Sequence, residues 1–108
     1  MYIPTFADVE AALARILPHI HRTPMLTSGF INALAGAELF FKCENFQKAG
    51  AFKARGASNA VFGLSEAEAA RGVATHSSGN HGLCLSYAAG RRGIPCTVVM
   101  PRTAPQAK

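Results

Sequence analysis

A single lysine and a polar loop downstream of it are the residues in this sequence that could do chemistry together. Lys53 lies in residues 50–56, where small and apolar side chains flank it. The second segment, residues 76–82, is rich in hydroxyl, amide and glycine residues. A lysine amine can attack a carbonyl carbon to form an imine, and such a loop can hold an anion. Together the two segments predict covalent chemistry on a small anionic molecule.

The polar loop predicts an anion site because it follows a predicted strand and opens a predicted helix. Free backbone N–H groups and the positive end of the helix dipole then point at the ligand. Gly79 and Gly82 would let a ligand approach the backbone closely. Ser77, Ser78 and Asn80 add side-chain donors. The alternative is an ordinary helix N-cap, in which serine and asparagine serve only the turn.

The neighbours of Lys53 favour a partly buried site, although a lysine near a helix start is most often a solvated surface residue. Phe52 and Ala54 on either side of it are apolar. Partial burial near the positive end of a helix, beside the fixed charge of Arg55, favours the neutral amine that imine formation requires. Lys53 is therefore the predicted nucleophile.

The N-terminal half is predicted to contain a capped helix, an extended segment and a strand. Thr5 is placed as a helix cap, with the carboxylate of Asp8 in the first turn. Pro18 predicts the end of the regular helix, and Thr23-Pro24 forces an extended segment. Residues 38–44 read as a strand with an aromatic centre. The predicted apolar face of the first helix consists of Val9, Leu13, Ile16, Leu17 and Ile20.

The C-terminal half alternates predicted helices and strands. Ser65 and Glu68 form a capping box, and Gly93 ends the last long helix. Helices are predicted over about 52–64, 66–71 and 81–92, strands over 72–76 and 94–100, and a further helix begins at about 104–106. The helix over 81–92 is predicted to bury Leu83, Cys84, Tyr87 and Ala88. The order β-α-α-β-α-β from residue 38 predicts an α/β fold, a parallel sheet with crossover helices.

Length and composition are those of one globular unit without a membrane span or a secretory signal. The 108 residues are 49% hydrophobic and 16% charged, which excludes disorder. No apolar run approaches the roughly 20 residues of a membrane-spanning helix, and the N-terminus has no secretory signal pattern. Widely spaced Cys43, Cys84 and Cys96 read as reduced thiols of a cytoplasmic protein. We expect the chain to be a fragment, because it stops where a helix is predicted to begin.

The net charge of +5 raises the possibility of nucleic-acid binding, which the pattern disfavours. The basic residues are scattered, only Arg91 and Arg92 are adjacent, and there is no tryptophan. An anionic small ligand, or an acidic remainder of a longer chain, explains the excess as well. His19 and His21 are two residues apart and so do not share a helical face as metal ligands would. We predict no metal site and no nucleic-acid or membrane partner for these residues.

Four segments resemble the serine/threonine dehydratase and serine racemase family of fold-type II pyridoxal phosphate enzymes. They are residues 41–57 around the lysine, the loop 76–82, residues 93–105, and the early residues 6–10 and 21–24. The resemblance implies the N-terminal part of the tryptophan synthase β-like fold. Residues 1 to about 45 would be the N-terminal helix and strand of the large domain, and about 46–108 most of the small α/β domain. It also implies a homo-oligomer for the full-length protein.

By this resemblance, the predicted site residues acquire roles toward pyridoxal 5′-phosphate and an amino-acid substrate. Lys53 would bind the cofactor covalently and move protons at the substrate Cα. Phe52 would lie against the pyridine ring, and Asn80 would hydrogen-bond its 3′-oxygen. Ser77, Asn80 and His81 would receive the substrate carboxylate. The family's phosphate loop and divalent-metal ligands would lie beyond Lys108, so we expect the 108 residues alone to bind cofactor poorly and to be inactive.

The implied reaction is the dehydration of L-serine or L-threonine to a 2-oxo acid and ammonia. Ser78 stands where the racemases of the family carry serine and dehydratases often carry alanine. We therefore predict Ser78 as a second catalytic residue, which returns a proton to Cα from the face opposite Lys53 and permits serine racemisation. The alternative is that Ser78 is only a second hydroxyl at the helix cap, without a catalytic role.

Two other classes of function stay open. Another fold-type II enzyme, a threonine synthase or a β-replacement enzyme similar to cysteine synthase, would use the same lysine. His81 disfavours the latter, which usually has threonine there. A non-catalytic α/β interaction module would have the fold without the chemistry.

Overall fold

Short strands and helices alternate along the chain in the computed structural model, which describes residues 2–106. Its α-helices are α1 (Phe6–Ile16), α2 (Gly29–Ala35), α3 (Lys53–Phe62), α4 (Glu66–Ala69) and α5 (Asn80–Arg92). Its strands are β1 (Met25–Leu26), β2 (Phe41–Lys42), β3 (Val73–His76) and β4 (Cys96–Val99). Single 3-10 turns cover Leu17–His19, Glu44–Phe46 and Lys48–Gly50.

Strands β3 and β4 form the predicted parallel pair, and α5 is the crossover between them. Their register runs from Val73 opposite Cys96 to His76 opposite Val99. Along both strands half-buried and exposed residues alternate, as expected of a two-sided strand with one face on a helix. The α/β fold class, with a parallel sheet and a crossover helix, is confirmed. The carboxyl ends of both strands lead into the polar loop and its surroundings.

The predicted strand over 38–44 does not join this parallel sheet. Only Phe41–Lys42 is a strand, and it pairs antiparallel with Met25–Leu26 in a separate two-stranded sheet. The cause is the extended segment at Thr23-Pro24, which lays the next residues alongside β2. The backbone N–H of Cys43 donates to the carbonyl of Pro24 at 3.0 Å and continues this pairing. The prediction that the strand over 38–44 joins the parallel sheet as its third strand is therefore wrong within residues 2–106.

The core lies between α3 and α5, where small side chains allow the two helices to approach closely. Ala54 and Val61 of α3 and Cys84 and Ala88 of α5 are completely buried. Glycine and alanine at helix interfaces reduce the interaxial distance to the low end of its range. The prediction of a buried Leu83 is wrong, since its side chain is 52% exposed and Leu85 is buried instead. The contact with α5 fixes α3, the helix that carries Lys53.

Local helix-end signals match the structure well. The carboxylate of Asp8 accepts from both the N–H and the hydroxyl of Thr5, and Glu68 does the same for Ser65. Gly93 ends α5 in the left-handed conformation, at φ 74°. The regular part of α1 ends at Ile16, two residues before the predicted Pro18.

Two N-terminal and C-terminal predictions differ from the structure. Of the predicted apolar face of α1, Ile16 is buried and Ile20 half-buried, whereas Val9, Leu13 and Leu17 are exposed, because the contact with α3 covers only part of that face. No helix begins at 104–106 within the described part of the chain, and residues 107 and 108 lie outside it.

None of the helices in residues 2–106 is long and apolar enough to cross a membrane. All the cysteines are free, and Cys84 is buried as predicted.

Replacing Gly72 with alanine is expected to destabilise the protein strongly. Gly72 has a φ of 74°, and a Cβ there would lie 2.6 Å from the carbonyl oxygen of Pro95. The left-handed backbone and the overpacking together predict a loss of about 2–5 kcal/mol in the free energy of unfolding. Gly90→Ala is the matched control, because a Cβ there has open space inside α5. Urea unfolding of both variants measures the difference, and equal stabilities would contradict the prediction.

Candidate active site

Lys53 is the first residue of α3, as the sequence predicted, but its side chain is exposed. The helix begins after Phe52, whose own backbone is helical and whose side chain provides no cap. The expectation of a partly buried amine is wrong within residues 2–106, because the turn that carries Lys53 lies at the rim of the core rather than inside it. The amine is therefore open to a reagent or ligand from the groove side.

The loop before Lys53 reverses the chain through two left-handed residues. Ala49 has a φ of 56° and Gly50 a φ of 64°. An L-residue in this region carries a strain of about 1–2 kcal/mol, which persists only where the surroundings hold it. Those surroundings are the core, since Ala49 is half-buried against it and Ala51 is buried within it. The loop thus delivers the start of α3 in a fixed direction.

A groove between α3 and α5 brings the predicted lysine and one residue of the polar loop together. Its volume is about 370 Å³, within the range typical of small-molecule sites. Lys53 and Phe52 line it from α3, and His81 lines it from the first turn of α5. Arg55, Gly56, Ala57, Ala60 and Leu85 complete its walls. The groove therefore joins a primary amine, an exposed aromatic ring and an imidazole.

Cys84 lies fully buried on α5, close to the same groove. Burial raises the pKa of its thiol, and the positive charge of Lys53 acts in the opposite direction. Raised in this way, the thiol stays protonated near neutral pH and behaves as a small apolar side chain. Cys84 is thus a packing residue and not a nucleophile.

Ser77 and Ser78 lie in a different depression, at the carboxyl ends of β3 and β4. This depression has a volume of about 430 Å³ and is also lined by Met100 and Pro101. The N–H of Ser77 donates to the carbonyl of Val99 at 3.0 Å, so the loop starts as an extension of the parallel pair. Ser77 and Ser78 thus line a different depression from the groove that Lys53 lines.

Asn80 opens α5 with an exposed side chain and lines neither depression. The N-cap residue before it is Gly79, which has no side chain to satisfy the first N–H groups of α5. An uncapped helix start of this kind is suited to an anion. A Cβ on Gly79 would meet open space, so the backbone is accessible there, as predicted.

Gly82 serves a different purpose from the one expected. A Cβ at this position would lie 2.9 Å from a methyl group of Val98 and 3.1 Å from the carbonyl oxygen of Ser77. The residue is buried, so glycine is required for packing of the loop against β4 and not for approach of a ligand. It still fixes the loop, because a side chain would push α5 away from the strand.

The donor set in and around the groove fits pyridoxal phosphate. The groove offers an exposed amine for the carbonyl carbon and the flat ring of Phe52, a residue that is 63% exposed. The uncapped start of α5 supplies N–H donors for an anionic oxygen. No group of acidic, cysteine or histidine residues in the described range 2–106 could hold a metal ion.

The sequence did not predict an ion pair between Glu44 and Arg55, which lie on either side of Lys53 in the sequence. Arg55 donates through Nε and Nη2 to the two carboxylate oxygens of Glu44, at 2.8 and 2.7 Å. The residues are eleven apart and separated by two turns, so no helical or strand spacing signals the contact. The Arg55 guanidinium, with a smaller contribution from the hydroxyl of Thr23, lowers the pKa of the Glu44 carboxyl to about 2.

Acid is expected to remove stability that this ion pair provides. The pKa of Glu44 in the folded protein, about 2, lies below its ordinary value of 4.5, so the carboxylate contributes fully above pH 4.5. The contribution is lost as the pH falls from 4.5 through about 2. Urea unfolding across this window should show a shallower loss of stability in Glu44→Gln than in the unchanged protein. Equal slopes would contradict the assignment.

Comparisons with known proteins find similarity to pyridoxal phosphate enzymes along the chain. Residues 16–108 match the family described as pyridoxal-phosphate dependent enzyme. The chain is 73% identical, over all 108 residues, to beta-hydroxyaspartate dehydratase of Paracoccus denitrificans, and covers 34% of it. It superposes on maize serine racemase with a TM-score of 0.95 and 52% identity, covering 98% of this chain and 32% of that one.

A third similar protein is a pyridoxal 5′-phosphate-dependent aspartate racemase, with a TM-score of 0.91 and 46% identity. The match covers 100% of this chain and 34% of that structure. The chain thus spans about a third of the length of the relatives it matches.

Proposed function

The chain belongs to the family of pyridoxal-phosphate dependent enzymes, and from this premise we propose that the whole protein removes water from a β-hydroxy-α-amino acid. The observation that carries the proposal is the groove that Lys53 and His81 line together. An amine for the cofactor and a cationic or hydrogen-bonding partner for the substrate carboxylate are the minimum that this chemistry requires from the N-terminal third of such an enzyme.

For the substrate, we infer β-hydroxyaspartate as the leading candidate. The identity of 73% to a beta-hydroxyaspartate dehydratase supports this choice over serine or threonine. The similarity to an aspartate racemase points in the same direction, since aspartate has the same two carboxylates. The chain's net charge of +5 favours a dianionic substrate over a neutral amino acid through long-range attraction.

Each residue of the site then has a defined task. Pyridoxal phosphate, when bound, supplies an electron sink for the bond that is broken at the substrate Cα. Lys53 holds the cofactor and takes the proton from Cα with its ε-amine. Phe52 would limit how the cofactor ring lies, and Asn80 would donate a hydrogen bond to its 3′-oxygen. Ser77 and His81 orient the α-carboxylate so that the Cα–H bond faces Lys53.

The elimination is completed by loss of the hydroxyl group from Cβ. This group leaves with a proton as water, and a Cα–Cβ double bond forms in the amino acid. Water then adds to the released unsaturated amine, which yields a 2-oxo acid and ammonia. For β-hydroxyaspartate the oxo acid is oxosuccinate, and for serine it is pyruvate.

A second candidate function is dehydration of serine or threonine accompanied by racemisation of serine. The specific observation in its favour is Ser78, together with the 52% identity to a serine racemase. The hydroxyl of Ser78 would return a proton to Cα on the face away from Lys53. Both candidates use the same groove and differ in the group attached to Cβ.

A substrate comparison on the complete gene product tests the proposal. The protein is reconstituted with pyridoxal phosphate and supplied with β-hydroxyaspartate, L-serine or L-threonine. Oxo acid and ammonia are quantified, and the enantiomers of the remaining amino acid are separated. We expect the highest kcat/KM for oxo-acid formation with β-hydroxyaspartate.

Other outcomes would point elsewhere. A higher kcat/KM with serine would favour the second candidate. A visible cofactor band without any oxo acid would indicate a synthase or β-replacement enzyme. Absence of the band would favour a non-catalytic interaction module and overturn the proposal.

A further inference from the structure

The bidentate ion pair between Glu44 and Arg55 joins the two ends of the loop that contains Lys53. Glu44 stands before the loop and Arg55 stands two residues after the lysine, in the first turn of α3. The parallel N–H···O bonds of 2.8 and 2.7 Å are a fork-to-fork arrangement, which fixes direction as well as distance. The pair therefore restrains the rotation of the first turn of α3.

The pair is anchored in turn to residues 21–23. The buried Thr23 donates through its hydroxyl to Glu44 Oε1 at 2.5 Å, and Lys42 Nζ donates to the carbonyl of Thr23 at 2.6 Å. Gln47, also buried, binds both backbone groups of His21, each at 2.8 Å. The loop is thus held at two points to the same extended segment.

The start of α3 is held by the core and by the Glu44–Arg55 pair. Phe52 at the N-cap position makes no side-chain cap, so the first turn lacks the usual protection against fraying. Ala51 and Ala54, on either side of Lys53, are buried in the core with residues of α5, but this apolar packing supplies no directed polar bond. Within residues 2–106, Arg55 is the residue nearest to Lys53 in sequence that makes directed side-chain hydrogen bonds, and its two shortest go to Glu44, so this pair can set the rotation of the turn.

We propose that Glu44 is a positioning residue for Lys53. Acting through Arg55, it keeps the first turn of α3 rotated so that the ε-amine stays in the groove shared with His81. The catalytic consequence rests on the proposed function, whereas the positioning itself does not. A displacement of the amine by about 1 Å would lower the rate by about 100-fold, the size of effect expected for misplaced reacting groups.

The chain offers a matched control in a second arginine–glutamate pair. Arg92 and Glu66 are in contact at 2.9 Å, but the Glu66 side chain is 96% exposed and the pair lies at the α4 end of the fold. The side chains of Arg55 and Glu44 are only 30% and 19% exposed. Glu66→Gln therefore removes an equivalent charge without touching the start of α3.

The experiment compares Glu44→Ala, Glu44→Gln and Glu66→Gln in the complete gene product. Two readouts need no turnover: hydrogen exchange of the amides of residues 53–56, and the acetylation rate of the Lys53 amine relative to Lys48 in the cofactor-free protein. The third readout is the split between kcat and KM for oxo-acid formation.

We expect Glu44→Ala to lower kcat by about 100-fold with KM changed by less than about threefold. Exchange at residues 53–56 and the acetylation rate of Lys53 should both change. Glu44→Gln, which keeps the size and one acceptor oxygen, should show the same changes at smaller amplitude, and Glu66→Gln should show none. If Glu44→Ala does not fold, Glu44→Gln supplies the same comparison.

The proposal is overturned if the Glu44 variants lose thermal stability while exchange at 53–56, Lys53 acetylation and kcat stay at the level of Glu66→Gln. Changed exchange and acetylation in a protein that produces no oxo acid would keep the positioning role and reject the proposed function. The two failures are thereby distinguishable.

Discussion

Replacing Lys53 with alanine is expected to reduce oxo-acid formation at least about 1000-fold, because the variant loses both covalent attachment of the cofactor and the base at Cα. Lys53 occupies the first position of α3 and lines the groove together with His81. No other lysine lines that groove within residues 2–106. The measurements are kcat for oxo-acid formation and the mass of the peptide labelled after borohydride treatment with pyridoxal phosphate.

Lys48→Ala is the control for this experiment. Lys48 belongs to the same loop, five residues before Lys53, and lines none of the depressions described above. We expect it to retain the borohydride-fixed label on Lys53 and most of the activity. A label that persists on another residue in Lys53→Ala, with activity retained, would remove Lys53 from the mechanism.

Features of the fold that depend on neighbouring residues alone could be predicted from the sequence. The capping boxes at Thr5 and Ser65 and the left-handed Gly93 each involve one turn of chain. The polar loop between β3 and α5 is likewise a local strand-to-helix connection. Lys53 could be placed at a helix start for the same reason.

Features that depend on distant contacts could not be predicted in this way. The partner of the strand at 41–42 is set by the extended segment after Pro24, not by a β-forming pattern, so a parallel neighbour was wrongly expected. Leu83 and Leu85 are equally apolar, and only the position of α3 decides which of them is buried. The exposure of Lys53 and its link to Glu44 depend on the same long-range packing.

Ser78 illustrates how local and distant information combine. Its position in a strand-to-helix loop was readable from the sequence, whereas the surface it faces was not. Ser78 is exposed and lines the depression beside Met100 and Pro101, and it is not among the residues that line the groove of Lys53. Proton exchange on two faces of Cα requires donors that approach from different sides. The position of Ser78 outside the lining of the Lys53 groove does not supply such a donor, and its role stays a prediction.

Ser78→Ala is expected to reduce serine racemisation by about 100-fold or more while oxo-acid formation falls by less than about fivefold, since a general acid contributes about 10²–10⁴ to the step it serves. Elimination needs only proton removal by Lys53 and departure of the Cβ hydroxyl, so it does not use the Ser78 hydroxyl. The two rates are measured on the same sample, by separation of D- and L-serine and by pyruvate assay.

Ser77→Ala is the matched comparison, because this neighbouring hydroxyl accepts from the N–H of Gly79 at 3.2 Å and is proposed to bind the substrate carboxylate. Its loss should weaken substrate binding and so lower both reactions by a similar factor, mainly through KM. A ratio of racemisation to elimination that is unchanged in Ser78→Ala, or changed as much in Ser77→Ala, would assign Ser78 to the helix cap. Only a change of the ratio specific to Ser78 identifies a proton donor, because cap and carboxylate contacts affect both reactions before they diverge.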